Sequence, residues 1–203
     1  MKLFYGPASC SMASHIVLNE LGMPFEVERV DLRDKKTPSG DFNKINSKGY
    51  VPALQLDNGE ILTEGAAILQ YLADRKPDLK LAPAWGTMDR YRLQEWLNYI
   101  ATEVHKNFSP LWRKDSPAEV RQAAVDTLSK RFHFLTSALS KNSFLMGQQF
   151  TVADAYLFTV LNWSSYVKLD LSPWPVLADY VSRLSSRPSI VATLKAEGLL
   201  KAA

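Results

Sequence analysis

Strand-like patterning is confined to about the first eighty residues of this 203-residue chain. Within them, short apolar runs of strand character alternate with helical spacing, whereas beyond about Leu81 only helical spacing recurs. A chain patterned in this way folds as an α/β unit followed by an all-helical one.

Lys2–Tyr5 reads as a strand, and Ser11–Leu21 as a helix with Ala13, Ile16, Val17 and Leu21 on one face. Gly22 and Pro24 stop that helix before a second strand over Phe25–Val30. Two strands joined through a helix pair in parallel by a right-handed crossover. Asp31–Tyr50 is polar and its local structure is weakly specified. Val51–Leu56 and Glu60–Thr63 then form a hairpin about Asp57-Asn58-Gly59, since Asn-Gly accepts the positive φ of a tight turn. A helix with Ala67, Ile68, Tyr71 and Leu72 as its apolar stripe ends before Pro77. These elements make a four-stranded mixed sheet with helices on its faces, over residues 1–80.

Residues 81–86 form a linker, and 87–203 an all-helical domain. Its first helix, Met88–Asn107, carries Leu93, Leu97, Ile100 and Val104 on one face. Ser116-Pro117-Ala118-Glu119 places a cap, a first-turn proline and a capping-box Glu before a helix running towards Ser140. Thr151 and Asp154 make a second capping box, and two shorter helices lie near 175–185 and 189–197.

Composition narrows the function classes. A formal charge of +3 is too small to argue for nucleic acid, and no stretch is long and apolar enough to span a membrane. One cysteine precludes an intrachain disulfide or a cysteine-based zinc cluster, and His15, His105 and His133 lack ligand spacing, so no metal is expected. The N-terminus lacks the apolar core of a signal peptide, which fits a reducing, cytoplasmic setting.

Five features carry possible chemistry. Cys10 stands where the first strand gives way to a helix, and a thiol facing unpaired N–H groups and the positive helix end favours thiolate. Its ordinary value of about 8.5 falls to roughly 3.5–7.5 in such settings. The position completing a C-x-x-C pair is Ala13, so any second sulfur must come from a partner molecule. The other reading is a small buried hydrophobe. Val51-Pro52 opens a strand, either as an ordinary trans proline or as a cis bond leaving the Val51 backbone open to a peptide-like ligand. Thr63-Glu64-Gly65 opens a helix, either as a cap with a first-turn acid or as a site for a carboxylate and an ammonium. Lys35 is a surface lysine or the cation of such a site. Asn98, Thr102 and His105, four then three apart, share one helix face that is either solvated or directed at a reacting sulfur.

In order and spacing, these residues resemble the bacterial beta-class glutathione transferases. The motifs run through the chain: Cys10-Ser11, Val51-Pro52-Ala53-Leu54, Leu62-Thr63-Glu64-Gly65, Glu95-Trp96-Leu97-Asn98, Glu103-Val104-His105-Lys106 and Thr151-Val152-Ala153-Asp154. The resemblance implies a thioredoxin-like N-terminal domain (βαβ-α-ββα), an all-α C-terminal domain and a homodimer. It implies glutathione as co-substrate and a hydrophobic electrophile as second substrate. Cys10 corresponds to the cysteine that contacts the glutathione sulfur and forms a mixed disulfide with it. Val51 corresponds to the backbone partner of the cysteinyl part, Glu64 and Gly65 to the binders of the γ-glutamyl end, and Lys35 to that of the glycine carboxylate. Gly65 stands where the family often has serine, so only its N–H can serve. Asn98 and His105 resemble polar residues closing the site. Thr102, Glu103 and Lys106 resemble residues contributed by the adjacent subunit. Thr151 and Asp154 resemble the family's folding motif. The hydroxyl that holds the thiolate in other transferase classes has no clear carrier in this sequence: Tyr5, Ser9 and Ser11 are all nearby and none stands out. Phe108, Trp112 and Trp163 are candidate pocket walls, or core aromatics. The implied activity is conjugation. The alternatives are thiol–disulfide exchange or reductive dehalogenation through Cys10, and a non-enzymatic carrier of apolar ligands.

Overall fold

The computed structural model describes residues 1–200. They divide into two compact units: Met1–Lys80 together with the segment from Ser186, and Leu81–Ser185.

In the first unit, β1 (Lys2–Tyr5), β2 (Glu26–Arg29), β5 (Ala53–Gln55) and β6 (Ile61–Thr63) form one sheet in the order β2-β1-β5-β6. β1 pairs parallel to β2 and antiparallel to β5, with Leu3 opposite both Val27 and Leu54. The weakly specified stretch holds a two-stranded hairpin, β3 (Lys36–Thr37) with β4 (Gly40–Asp41), and one 3-10 turn over Phe42–Lys44. That turn is the helical element between β2 and β5, where the implied topology has an α-helix. Between β5 and β6, Leu56 N–H bonds to the Glu60 carbonyl (2.8 Å) and closes a three-residue turn, with Gly59 alone at φ +88° and its N–H on the Leu56 carbonyl (3.0 Å). A residue in the left-handed region after two ordinary turn residues gives this longer hairpin in place of the two-residue Asn-Gly type.

Helix α1 (Ser11–Leu21) is buried over most of its length, and α2 (Gly65–Asp74) buries Ile68, Leu69, Leu72 and Ala73. The buried face of α2 is therefore turned from the expected stripe: Ala67 is exposed and Tyr71 half-buried.

The sequence places everything after residue 86 in the helical domain, yet α8 (Pro188–Ala196) belongs to the first unit. Its side chains bond directly to α1. Asn19 donates to Thr193 Oγ1 (2.8 Å), Glu20 receives both Arg187 and Ser189, and His15 Nδ1 meets Glu197 Oε1 at 2.9 Å.

The second unit consists of helices. α3 (Met88–Tyr99) continues as a π-helix over Ile100–His105, a 3-10 turn over Lys106–Phe108 and a short α4 (Ser109–Trp112). The stretch expected as a linker packs within this unit: Arg90 is buried, stacks 4.0 Å over Trp85 and donates to the Pro83 carbonyl. α5 (Ala118–Leu139) starts one residue later than its box predicts, with Pro117 and not Ser116 at the cap.

α6 (Val152–Val167) is buried almost all round, as expected of an apolar helix at the centre of a bundle. Its start hangs on Asp154. One carboxylate oxygen accepts Leu145 N–H and Tyr180 Oη, and the other accepts Thr151 N–H and Thr151 Oγ1, all at 2.9 Å. Burial pushes this carboxyl above its ordinary range, against the pull of those four donors. α7 (Pro175–Ser185) supplies Tyr180, tying three segments through one side chain.

Asp154→Ala leaves these donors unsatisfied in a dry core. It is expected to lower unfolding free energy by roughly 3 kcal/mol or more, read as a lower urea midpoint. An unchanged midpoint would contradict this role.

Candidate active site

The loop from Gly6 to Cys10 is held from within and from α8. Ser11, fully buried, accepts the Gly6 N–H (3.1 Å), and its hydroxyl lies 3.3 Å from the Gly6 carbonyl and 2.8 Å from Ser9 Oγ. Ala8, at φ +58°, donates its N–H to Glu197 Oε2 at 3.0 Å. A β-carbon on Gly6 would meet Leu32 Cδ1 at 2.8 Å, so a larger residue there would displace the Leu32 side chain.

Cys10 occupies the N-cap of α1 and is half-buried. Its surroundings differ from the expectation. The N–H groups of Ser11, Met12 and Ala13 are spent on Ser9 Oγ, the Ser9 carbonyl and the Cys10 carbonyl. Those three donors are turned into the cap. The thiol itself donates to the Val51 carbonyl, Sγ to O 3.2 Å. The candidate hydroxyls are also committed: Ser9 and Ser11 bind each other and the loop, and burial, followed by Glu197, pushes Tyr5 above its ordinary value.

The Val51-Pro52 bond is cis. Val51 is buried, its carbonyl takes the thiol, and among the described residues its N–H has no acceptor. Gly65 borders the same proline: a β-carbon there would lie 3.9 Å from Pro52 Cγ, an ordinary contact. Ala67 and Ile68 N–H both close on the Glu64 carbonyl (3.0 and 2.9 Å). Among the described residues this leaves the Gly65 and Ala66 N–H groups of α2 without acceptors.

Glu64 is the N-cap residue, at φ +68° and ψ 114°, a strained conformation for a side-chain-bearing residue that costs on the order of 1–3 kcal/mol. Its carboxylate does not cap the helix. It pairs with Lys48 Nζ at 2.5 Å, and the same ammonium donates to Thr63 Oγ1 at 2.8 Å. Lys48 was not anticipated, because its relation to Glu64 spans sixteen residues of sequence. Both groups are well exposed, so the pair holds Glu64 only weakly. Lys35, at φ +55°, extends past Gly49 to put Nζ 5.8 Å from the Tyr50 ring centre, next to Val51. One small region of the first unit thus gathers Cys10, Val51, Glu64, Gly65 and Lys35.

In the second unit the expected shared face is broken. Asn98 and Thr102 are exposed, and the Thr102 hydroxyl donates to the Asn98 carbonyl (3.0 Å). The π turn adds residues per turn between them and His105, which rotates the imidazole inward. His105 Nδ1 lies 2.7 Å from Tyr156 Oη, and its ring packs edge-on against Trp163 at 4.8 Å. Burial, helped by the nearby Lys106 charge, pushes His105 down to about 4, so the ring is neutral at neutral pH. Glu103 pairs with Arg131 at 2.6 Å, while Lys106 is exposed. Phe108 and Trp163 are buried core aromatics, not pocket walls. Trp112, 45% exposed, meets Trp163 edge-on and Tyr166 at a tilt (6.0 and 6.2 Å between ring centres) and is the candidate wall that reaches the surface.

Residues 8–75 match the family model for the glutathione S-transferase N-terminal domain, and residues 96–188 that for the C-terminal domain. The chain is 48% identical to glutathione S-transferase GstA of Escherichia coli O157:H7, over 98% of this chain and 100% of the relative. A sphingomonad glutathione S-transferase complexed with glutathione superposes with a TM-score of 0.95 at 44% identity, covering 98% and 100% of the two chains. A bacterial beta class glutathione S-transferase from Sphingomonas chungbukensis does so with a TM-score of 0.95 at 46% identity, over 98% and 100%. With the thiol, the open backbone edge and the strained helix entrance gathered in a thioredoxin-like sheet, the chain belongs to the glutathione S-transferase family and resembles its bacterial beta class.

Proposed function

We infer that this protein binds glutathione on its first unit and conjugates the tripeptide, through its sulfur, to hydrophobic electrophiles. The observation carrying this reading is the placement of Cys10 Sγ 3.2 Å from the carbonyl of Val51, whose N–H lacks an acceptor among the described residues. A peptide laid along that edge pairs with Val51 in strand fashion and brings its cysteinyl sulfur beside Cys10. The γ-glutamyl ammonium then meets Glu64, its carboxylate the Gly65 and Ala66 N–H groups, and the glycine carboxylate Lys35. The lysine now on Glu64 is the group such an ammonium exchanges with. Once held, the sulfur loses its proton to solvent and attacks the electrophilic centre. A carbon–sulfur bond forms and the leaving group departs with its electron pair. Fixing the two reactants supplies much of the rate.

Trp112 offers the electrophile an apolar surface, and neutral His105 serves as a hydrogen-bonding group without adding charge. Asn98 closes the glutathione site, and Thr102, Glu103 and Lys106 act at a homodimer interface. The setting is cytoplasmic; among the described residues no helix is long and apolar enough to cross a membrane.

The same Cys10–Val51 contact favours a second reading, exchange through a Cys10–glutathione mixed disulfide, because it sets the protein sulfur where the peptide's would arrive. Cys10→Ala is expected to keep conjugation of 1-chloro-2,4-dinitrobenzene within a few-fold and to abolish glutathione-dependent reduction of hydroxyethyl disulfide. Loss of both activities in a folded variant would make Cys10 necessary for transfer. Glu64→Gln is expected to raise KM for glutathione about tenfold with a smaller change in kcat, since the lost contact is made already in the ground state. An unchanged KM would remove Glu64 from the site.

His105 also sets a pH dependence. Its folded value lies near 4 against an ordinary 6.5, so between these values the unfolded chain takes a proton that the folded one refuses. Stability is therefore expected to fall as pH drops from 6.5 towards 4, by on the order of 3 kcal/mol, and His105→Gln to lack that slope. Urea midpoints across this range for both proteins test it; parallel curves would refute it.

A further inference from the structure

The imidazole of His105 is held by two residues of a single helix. Tyr156 and Trp163 stand seven apart on α6, which puts them on one side of it, two turns from each other. Tyr156 Oη lies 2.7 Å from His105 Nδ1, and the Trp163 ring meets the imidazole edge-on at 4.8 Å between ring centres. Both α6 side chains are buried. Nε2, the other ring nitrogen, has no partner among the described residues and is not sealed from solvent, so it faces space that water or a ligand enters. We propose that Tyr156 is a positioning residue for the transfer reaction: its hydroxyl donates to His105 Nδ1 and so fixes both the ring's orientation and the Nε2–H tautomer. His105 then presents a hydrogen-bond donor at its open edge and no base. The inference rests on the reading of this protein as a glutathione-conjugating enzyme.

A neutral imidazole carries one N–H and one lone pair, and which nitrogen holds which follows from the hydrogen bond that the other makes. Burial keeps His105 neutral at neutral pH. Two pairings are then open to the 2.7 Å contact: phenol O–H to imidazole nitrogen, or imidazole N–H to phenol oxygen. The phenol is the stronger acid of the two donors, and the imidazole nitrogen the stronger base of the two acceptors. The first pairing is therefore the stronger hydrogen bond. Nδ1 holds the lone pair, and Nε2 the proton.

The chain leaves regular helix to make this contact. The π turn over Ile100–His105 carries the imidazole inward while Thr102 stays exposed. On the other side, α6 is fixed close to Tyr156 by the four donors on the Asp154 carboxylate. A donor held in so firm a frame needs no reorganisation during the reaction, which is when orientation counts towards rate. A neutral N–H suits the part of the electrophile that gains negative charge as the carbon–sulfur bond forms. It keeps its own proton throughout, and the thiol proton goes to solvent and not to His105.

Long-range proton–nitrogen correlation spectra of protein carrying nitrogen-15 histidine test the tautomer, with the His105 signals assigned by their loss in His105→Gln. At neutral pH the wild type is expected to show a pyridine-type Nδ1 and a pyrrole-type Nε2 at His105. In Tyr156→Phe the two nitrogens are expected to shift towards each other as the Nδ1–H form becomes populated. The same variant is expected to lower kcat for 1-chloro-2,4-dinitrobenzene about fivefold with KM for glutathione within about twofold. In a His105→Gln background it is expected to change kcat by less than about twofold, since its effect runs through the imidazole. His105→Gln keeps a neutral N–H donor and is expected to retain several times more kcat than His105→Ala. A pyridine-type Nε2 in the wild type would overturn the proposal, and that measurement depends on no variant folding. So would an unshifted spectrum in Tyr156→Phe, or a kcat loss of equal size with and without His105. Absence of turnover in a wild type showing the expected spectrum would overturn the transferase reading, and with it the part given to Tyr156 in the reaction.

Discussion

The buried hydroxyl of Ser11 and the buried carboxylate of Glu197 grip the same five-residue loop at two points. Ser11 closes on Gly6, and Glu197 on Ala8. Between them the chain passes through a left-handed alanine before Cys10 can enter α1. A turn of this shape is not supported by local preference; alanine at positive φ is unfavourable, and the two grips compensate it. The position of the sulfur, the packing of Leu32 on Gly6 and the register of α1 against the sheet all follow from that closed turn. The buried Glu197 carboxylate, bonded to Ala8 N–H and to His15, is a strong constraint because its loss strands both partners in a dry interior.

Residues whose chemistry is local were legible in the sequence. Cys10 at a strand-to-helix junction, Pro52 at a strand head and Thr151–Asp154 before an apolar run each stand where their side chains act. So does Gly59, although the hairpin it closes is one residue longer than Asn-Gly alone suggests. Residues defined by distant partners were not legible. Nothing around Lys48 points to Glu64, and nothing around Glu197 points to Ala8 or His15. The π turn was hidden for another reason. Leu93, Leu97, Ile100 and Val104 keep an apolar spacing that suits the helix, so the sequence records no break where His105 rotates away from Thr102. Phe108 and Trp112 illustrate the limit of residue type: both are aromatic on the same helical stretch, yet one is sealed and the other 45% exposed.

The two units carry their polar residues differently. In the helical unit, Asp154 and His105 are polar groups taken into an apolar interior, each satisfied by a tyrosine hydroxyl. In the first unit, strain and open hydrogen-bonding groups are collected at one edge: Glu64 at positive φ, the Val51 N–H and the first N–H groups of α2. Conformational strain confined to a few residues is tolerated when the surrounding sheet and helices are regular, and it leaves a surface whose groups gain from meeting a ligand.

The membership of α8 in the first unit bears on how the protein is made. A ribosome releases residues 1–80 well before residue 197, with the whole helical unit emerging between them. Until then Ala8 and His15 lack their carboxylate partner, and the polar face of α1 towards Asn19 and Glu20 is unmet. The nascent sheet can therefore assemble early, but the turn bearing the thiol gains its second grip only after residue 197 has emerged. Discontinuity of this kind makes the reactive loop depend on a residue 189 positions further along the chain.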